Sequence, residues 1–410
     1  MSGVRSIRLL LAQRGVVASL FLVACSATLP VPILPLFAVY ELGGSPFESS
    51  MFFVADALVG MILVPIFGRL ADKYRAHRLV LAASLLWLAV GAVCLSFSTS
   101  MPQMIAISAL FYCCYGVPSA QIFALAKKKL ESAGSTEADL GLLRVGYIAG
   151  WVAGPALAGL LIASGLQFRQ LFMLQALAYL GVLVANLVIF RGTPSPRLPE
   201  VARREKAVFS IPVLMLYLTI ACALGGDIIR TAQLPLLLVG ELGGSSVHAA
   251  LAFSIVPAVE IPAVFLSWWL ATRFGHLLPL MISLVVGACY FLLMAVLADP
   301  WAVVVVQAIY AIIPAFCIGV GIGYAQSMLP GKASFATSLV LSAQSASVVL
   351  GSLLLLGLSA LNLGQNIFLA PVALCVAAVA LNTILRQGLV SEWLAQRRQQ
   401  GLRSGREPVQ

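Results

Sequence analysis

The sequence predicts an all-α polytopic membrane protein. Twelve transmembrane helices form two six-helix halves, with both termini in the cytoplasm. Three observations lead there. The chain is 61% hydrophobic and only 10% charged, where a soluble globular protein carries roughly 25% charged residues. It cannot cover itself with polar surface, so lipid is its solvent. Its apolar residues fall into runs long enough to cross a bilayer. Finally, the chain repeats itself at an interval of 200 positions. Pro35-Leu36 opens a segment that ends Glu41-Leu42-Gly43-Gly44-Ser45, and Pro235-Leu236 opens one that ends Glu241-Leu242-Gly243-Gly244-Ser245. The register holds as far as Leu70-Ala71-Asp72-Lys73-Tyr74-Arg75 and Leu270-Ala271-Thr272-Arg273-Phe274-Gly275. Such a repeat predicts two homologous halves packed in one membrane.

A membrane span needs about 20 apolar residues. The runs lie near 16–40, 49–68, 79–98, 102–126, 140–164 and 168–190, then 210–239, 247–271, 277–297, 300–326, 333–360 and 364–385. The first half is 1–190 and the second 210–385. Between them, 191–209 holds Pro194, Pro196, Pro199, Arg203, Arg204 and Lys206 and reads as a cytoplasmic linker. The polar stretch 386–410 reads as a cytoplasmic tail anchored by its bases. Leu22-Val23-Ala24-Cys25 behind Arg5, Arg8 and Arg14 mimics a lipoprotein signal. The apolar run continues past the cysteine to Tyr40, so an uncleaved first helix is expected.

Orientation comes from the bases. All 25 Lys and Arg residues except Arg144, Arg169 and Arg230 fall in the tails or in segments that follow even-numbered spans. Both termini are therefore expected on the cytoplasmic side. Arg169 alone sits in a loop on the other side, while Arg144 and Arg230 lie within spans.

A charge inside a membrane costs roughly 2.5–3.5 kcal/mol on insertion scales, so each one needs a reason. Asp56 lies in the second span, Arg144 in the fifth, Asp227 and Arg230 in the seventh and Glu260 in the eighth. The third, sixth, ninth and twelfth spans hold none and are expected on the lipid-facing shell. Asp227 and Arg230 are three residues apart and can meet on one helix face. They either neutralise each other so that the span inserts, or form a polar cluster that binds a ligand or gates a cavity. Glu260 has no partner within one turn. It is a candidate to exchange a proton, or else to pair with a base on another span, and Asp56 is a second candidate nearer the outer side. Arg144 is close enough to the cytoplasmic end to snorkel.

Uncharged polar and aromatic groups also recur inside the spans: Tyr115, Gln121, Tyr147, Trp151, Gln233, Gln307, Tyr310, Tyr324, Gln326 and Gln344. Amides bond hydroxyls and aromatic faces cover sugar rings, so the inventory suits a neutral polyhydroxylated ligand better than an anion. The same residues also serve interhelical packing. Of these, Gln121, Tyr147, Trp151, Gln233, Gln326 and Gln344 join Asp227 and Arg230 as ligand-binding candidates. The fifth span places Gly146, Gly150, Gly154 and Gly159 at four- or five-residue spacing beside Pro155, a flat stripe for close helix approach. Pro30, Pro32 and Pro35 in the first span, and Pro314 with Gly319, Gly321 and Gly323 in the tenth, predict broken helices at a cavity and its gates.

Other classes fit poorly. The net charge of +10 is spread over short segments between spans, so no nucleic-acid partner is expected. The three histidines, His77, His248 and His276, lie in or near loops without ligand spacing, so no metal and no cofactor is expected. The eight cysteines lie in apolar runs and read as small packing residues. A membrane enzyme would need a His/Asp or Cys/His constellation, which is missing. A receptor would need a soluble signalling domain or a long tail.

The segment after the second span resembles the signature of the major facilitator superfamily, Gly-x-x-x-Asp-Arg/Lys-x-Gly-Arg-Arg/Lys. Gly68, Asp72 and Lys73 match. Arg75 stands at the second glycine and Ala76 at the next base, while His77 precedes Arg78. The resemblance implies that Asp72 helps lock the two halves together. In the fifth span Gly150, Gly154, Pro155 and Gly159 resemble the exporters' pattern Gly-x-x-x-Gly-Pro-x-x-Gly-Gly, with Ala158 at the first of the last pair. That resemblance implies export rather than import. Three stretches further resemble the bacterial sugar efflux transporter family: Pro118 to Ala126, Arg144 with Gly150-Trp151-Val152-Ala153-Gly154-Pro155, and Gly321 to Thr337. Ser119 and Ala120 separate a proline and a glutamine that are adjacent in that family.

The resemblance implies a multi-pass protein of the bacterial inner membrane that exports sugars or glycoside-like molecules, with protons moving the other way. Its expected partners are a small-molecule substrate, protons and the bilayer, and it is expected to be a monomer. Export of a drug, a siderophore or another metabolite is the alternative.

Overall fold

A computed structural model describes residues 14–132, 137–192, 211–329, 333–359, 361 and 363–383. The expected linker beyond Gly192 and the expected tail 386–410 lie outside the described residues. The described residues are helical, without a strand. Eleven helices are long and apolar enough to cross a membrane, and Arg14–Thr28 is a shorter apolar helix.

In chain order the helices are α1 Arg14–Thr28, α2 Pro46–Lys73, α3 His77–Ser96, α4 Met101–Leu110, α5 Gly116–Ser132, α6 Glu137–Ala163 and α7 Phe168–Ile189. The second set is α8 Ile211–Leu224, α9 Asp227–Leu236, α10 Ser246–Phe274, α11 Leu277–Met294, α12 Pro300–Tyr310, α13 Ile312–Met328, α14 Ala333–Ser359 and α15, 369–383.

The repeat seen in the sequence is a repeat of backbone. A π-helical turn spans Phe37–Glu41 and another spans Leu237–Glu241. Each closes with matching bonds: the Leu42 amide to the Phe37 carbonyl at 3.1 Å, and the Leu242 amide to the Leu237 carbonyl at 3.0 Å. Gly43 and Gly243 then turn the chain at φ 67° and 68°, a left-handed conformation in which a Cβ is strained. Ser45 and Ser245 follow as the N-caps of α2 and α10. The Gly-Gly-Ser echo is therefore the price of one tight reversal made twice.

Three expected spans beyond the first are broken. The run 102–126 divides at Phe111–Tyr115, and the run 300–326 divides at Ala311, 200 positions further on. Each break lies about one turn before a proline, Pro118 or Pro314, whose ring displaces the carbonyl four residues earlier. The run 210–239 also breaks, at Gly225–Gly226. There Gly351 of α14 packs directly on the Gly225 carbonyl, and Phe291 and Pro371 close on Gly226. Side chains at those glycines would push the helices apart.

The glycine stripe of α6 seats α1. Gly146 faces Val17, Gly150 faces Phe21 and Ala24, and Gly154 faces Cys25 and Thr28. Cys25 thus lies inside a packed helix. Gly159 faces elsewhere: a Cβ on it would stand 2.5 Å from that of Ala250 in α10. Two other contacts join the sets at that same end. Gln233 of α9 donates to Ser50 Oγ of α2 at 2.9 Å. The Tyr40 hydroxyl lies 2.9 Å from where a Cβ on Gly240 would be. Nearby, Arg169 pairs with Glu41 at 3.0 Å and donates to the Ser96 carbonyl at 2.7 Å.

The opposite end is splayed. Helix α2 is buried at Ser49, Ser50, Phe52, Phe53 and Val54, then at no position from Ala55 to Leu70. Among the described residues the two sets are closed together at the Glu41 end and open at the Asp72 end.

Candidate functional site

Helix α9 carries the densest polar cluster. Arg230 Nη2 lies 3.0 Å from Asp227 Oδ1, and Nε donates to the same oxygen at 3.1 Å. The Tyr310 hydroxyl of α12 donates to that oxygen as well, at 2.7 Å. The guanidinium is stacked between two rings, 4.4 Å from the Tyr310 centroid and 4.9 Å from that of Phe253. The Arg230 side chain is 7% exposed and that of Asp227 is 49% exposed. The base is therefore walled in by the second set, while its carboxylate partner reaches the gap between the sets. Arg230 Nη1 is buried without a hydrogen-bond partner. Behind Tyr310, Tyr290 packs at 5.0 Å and donates to Gln307 at 2.8 Å, which fixes the ring's position.

Glu260 of α10 lies within electrostatic reach of Asp227. Among the described residues it has no ion pair or hydrogen bond, so the expected alternative of a base on another span is not met. Asp56 of α2 is similar: its Oδ1 is buried and unpartnered. Tyr115, 45% exposed at the break before α5, feels the charges of both Asp56 and Asp227 and lies near Tyr147. These residues come from both sets, and Tyr115 of the first lies within electrostatic reach of Asp227 of the second.

The first set offers an aromatic wall. Tyr147 meets Phe123 at 5.6 Å and Trp151 at 6.3 Å, both edge-on. Trp151 Nε1 is buried without a partner. Arg144 is exposed, three residues before Tyr147 on the same face of α6. Gln344 is exposed on α14, and Gln326 is exposed near the open end of α13. Gln233 is committed to Ser50.

Gln121 is not part of this assembly. It is buried and bonded to His77 Nδ1 at 2.8 Å, and the other ring nitrogen of His77 lies 3.3 Å from Asp72 Oδ1. That second approach has ion-pair distance without hydrogen-bond alignment. Asp72, His77 and Gln121 thus tie α2, α3 and α5 together at the open end, close to Gly68 and Lys73. His77 opens α3 and is 2% exposed, so it is no loop residue. Sequence reasoning placed it within the Asp72 signature segment but gave it no role. It also left Phe253 unremarked, because nothing local marks an aromatic residue that will cover a guanidinium.

Arg75 departs from the glycine of the signature pattern, and its backbone shows the consequence. It has φ 50°, the only positive φ of a non-glycine residue among those described. The chain closes around it through the Ala76 amide to the Ala71 carbonyl at 2.9 Å. An L side chain there costs about 1 kcal/mol or more. Arg75→Gly is expected to be about 1 kcal/mol more stable than Arg75→Ala in thermal unfolding. Both variants lack the guanidinium, so their difference isolates the backbone, and equal midpoints would contradict the assignment.

The sequence model of the Major Facilitator Superfamily matches residues 16–352. Sugar efflux transporter A of Dickeya chrysanthemi is 24% identical over 326 residues, covering 78% of this chain and 81% of that protein. A putative sugar efflux transporter of Deinococcus radiodurans is 27% identical over 379 residues, covering 90% and 95%. Among solved structures, a point mutant of the nucleoside transporter NupG superposes with a TM-score of 0.78 at 16% identity, covering 90% of this chain and 98% of that one.

Proposed function

The chain belongs to the major facilitator superfamily, and on that premise we propose that it exports sugars or glycoside-like small molecules in exchange for protons, by alternating access. It is a multi-pass efflux transporter of the inner membrane. The observation that carries the substrate class is its kinship with sugar efflux transporters over about four-fifths of the chain. The gap between the sets supports the same reading. It combines hydroxyl-accepting Asp227 with the Tyr147 and Trp151 wall, and the base beside Asp227, Arg230, is already neutralised.

Arg14–Thr28 and the segment through Glu41 act together as one crossing, which makes twelve spans in two halves. The basic Asp72 end faces the cytoplasm, so the molecule is open inward. Substrate enters there and lodges between Asp227 and the aromatic wall. A proton from outside resides on Glu260 or Asp56 during the return and leaves to the cytoplasm as sugar binds. The chain works as a monomer.

The test is uptake of labelled glucose and lactose into inside-out vesicles, with and without an imposed pH gradient. Gradient-dependent uptake that an uncoupler abolishes is the expected result. Folded protein that moves neither sugar would overturn the sugar assignment and turn attention to drugs or siderophores.

A further inference from the structure

Two helix starts 200 residues apart satisfy the same backbone donor with different chemistry. The Ser45 amide donates to Glu48 Oε2 at 2.8 Å. The Ser245 amide donates to His248 Nδ1 at 3.0 Å, and Ser245 Oγ lies 2.9 Å from the same nitrogen. A carboxylate keeps its acceptor lone pairs above about pH 4. An imidazole nitrogen accepts only while it carries no proton, and imidazoles exchange that proton between about pH 5 and 8. A proton on Nδ1 would turn the exposed Ser245 amide to water, leave Ser245 Oγ as the acceptor of the ring, and set a positive charge at a helix N-terminus, where the macrodipole repels it.

This cap stands on one of the contacts that join the two sets at the closed end. Val247 and Ala250, on either side of His248 in the first turns of α10, are the residues that meet Gly159 of α6. The ring itself is braced edge-on by Trp301 of α12, with centroids 4.5 Å apart.

We propose that His248 is a proton-operated latch, whose neutral ring holds the start of α10 against α6 and whose protonation from outside releases that contact. It is a positioning residue that acts through α10. The proposal rests on the orientation assigned above, with the Glu41 end outward, and not on the identity of the substrate. Charged groups on the adjoining segments are Glu241 before the cap and Asp299 before α12. Asp299 is committed to the Ala302 amide at 2.7 Å, and among the described residues neither acid forms an ion pair with His248. Deeper in the helix, Arg230 covers Phe253 but is paired with Asp227. The face of α6 at Gly159 brings no titratable group to the contact.

Hydrogen–deuterium exchange on the full chain reads this latch directly. Rates would be compared at about pH 5.5 and pH 8, each corrected for intrinsic chemistry, for wild type, H248Q and H248E. In the wild type, acid is expected to speed exchange about fivefold, the equivalent of one lost cap, in peptides covering 242–250 and 157–164. Both variants retain an acceptor that does not titrate in this range, and both are expected to lose the pH response. H248E copies the first repeat and keeps the test open if H248Q fails to fold. A response that survives in the variants would belong to the membrane carboxylates and overturn the latch. So would an unresponsive wild type, or a response confined to 242–250, which would be local fraying. No substrate is present, so failure here leaves the sugar assignment standing, and failure of the sugar assay leaves the latch standing.

Discussion

Asp227→Ala is expected to destabilise the protein by about 3 kcal/mol, the lower part of the range for breaking a buried ion pair. Arg230 is 7% exposed and its carboxylate partner 49% exposed. Removing Asp227 therefore strands a guanidinium between the rings of Phe253 and Tyr310, with some relief from water in the gap. The Tyr310 hydroxyl loses its acceptor at the same time. The double variant Asp227→Ala/Arg230→Met is expected to recover most of the loss, because the uncompensated charge goes with the arginine. Thermal unfolding of the two singles and the double forms a complete cycle. A double variant no more stable than Asp227→Ala alone would sink this account. If Asp227 also accepts bonds from substrate, the double variant will be folded and inactive.

Glu260→Gln is expected to abolish stimulation of transport by a pH gradient while leaving downhill equilibration of the substrate intact. Glutamine fills the same space but cannot take up or release a proton. Glu260 has no competing partner among the described residues, and it shares the gap with Asp227. The measurement is vesicle uptake with and without the gradient, using the same preparations as for the wild type. Full gradient-driven transport in Glu260→Gln would remove this residue from the cycle and leave Asp56 as the coupling carboxylate. Loss of both modes together would point to substrate binding instead.

These two predictions draw on parts of the site that were unequally legible. Asp227 and Arg230 could be paired from their spacing, because three residues on a helix is a contact distance. Tyr310 is 83 positions from Asp227, and only the packing of α9 against its neighbours brings it there. Gln121 kept two readings, ligand or packing, for a physical reason. An amide inside a span must satisfy its polar atoms, and sequence cannot tell a substrate hydroxyl from the ring of His77. The spans themselves were plain, since hydropathy over about 20 residues integrates many small preferences. Their interruptions were not. The Pro314 break was expected, but the one at Phe111–Tyr115 depends on Pro118 downstream, and Gly225–Gly226 yields because other helices press on it. Hydropathy is blind to both. The 200-residue echo was legible because one turn geometry demands the same residues twice.

The seat of α1 on the glycine stripe bears on how the protein is made. Pro30 and Pro32 interrupt the crossing after Thr28, and part of the freed backbone is satisfied by another helix, through Gln175 of α7 on the Ser26 carbonyl. The glycine stripe that receives α1 belongs to α6, and three long apolar helices are synthesised between them. Helix α1 therefore lacks its seat until α6 arrives. Biogenesis must hold it during that interval, at the insertion machinery or in a shallow position. Bulky substitutions at Gly150 or Gly154 would then surface as failures of membrane insertion and early degradation, before any defect in transport could be measured.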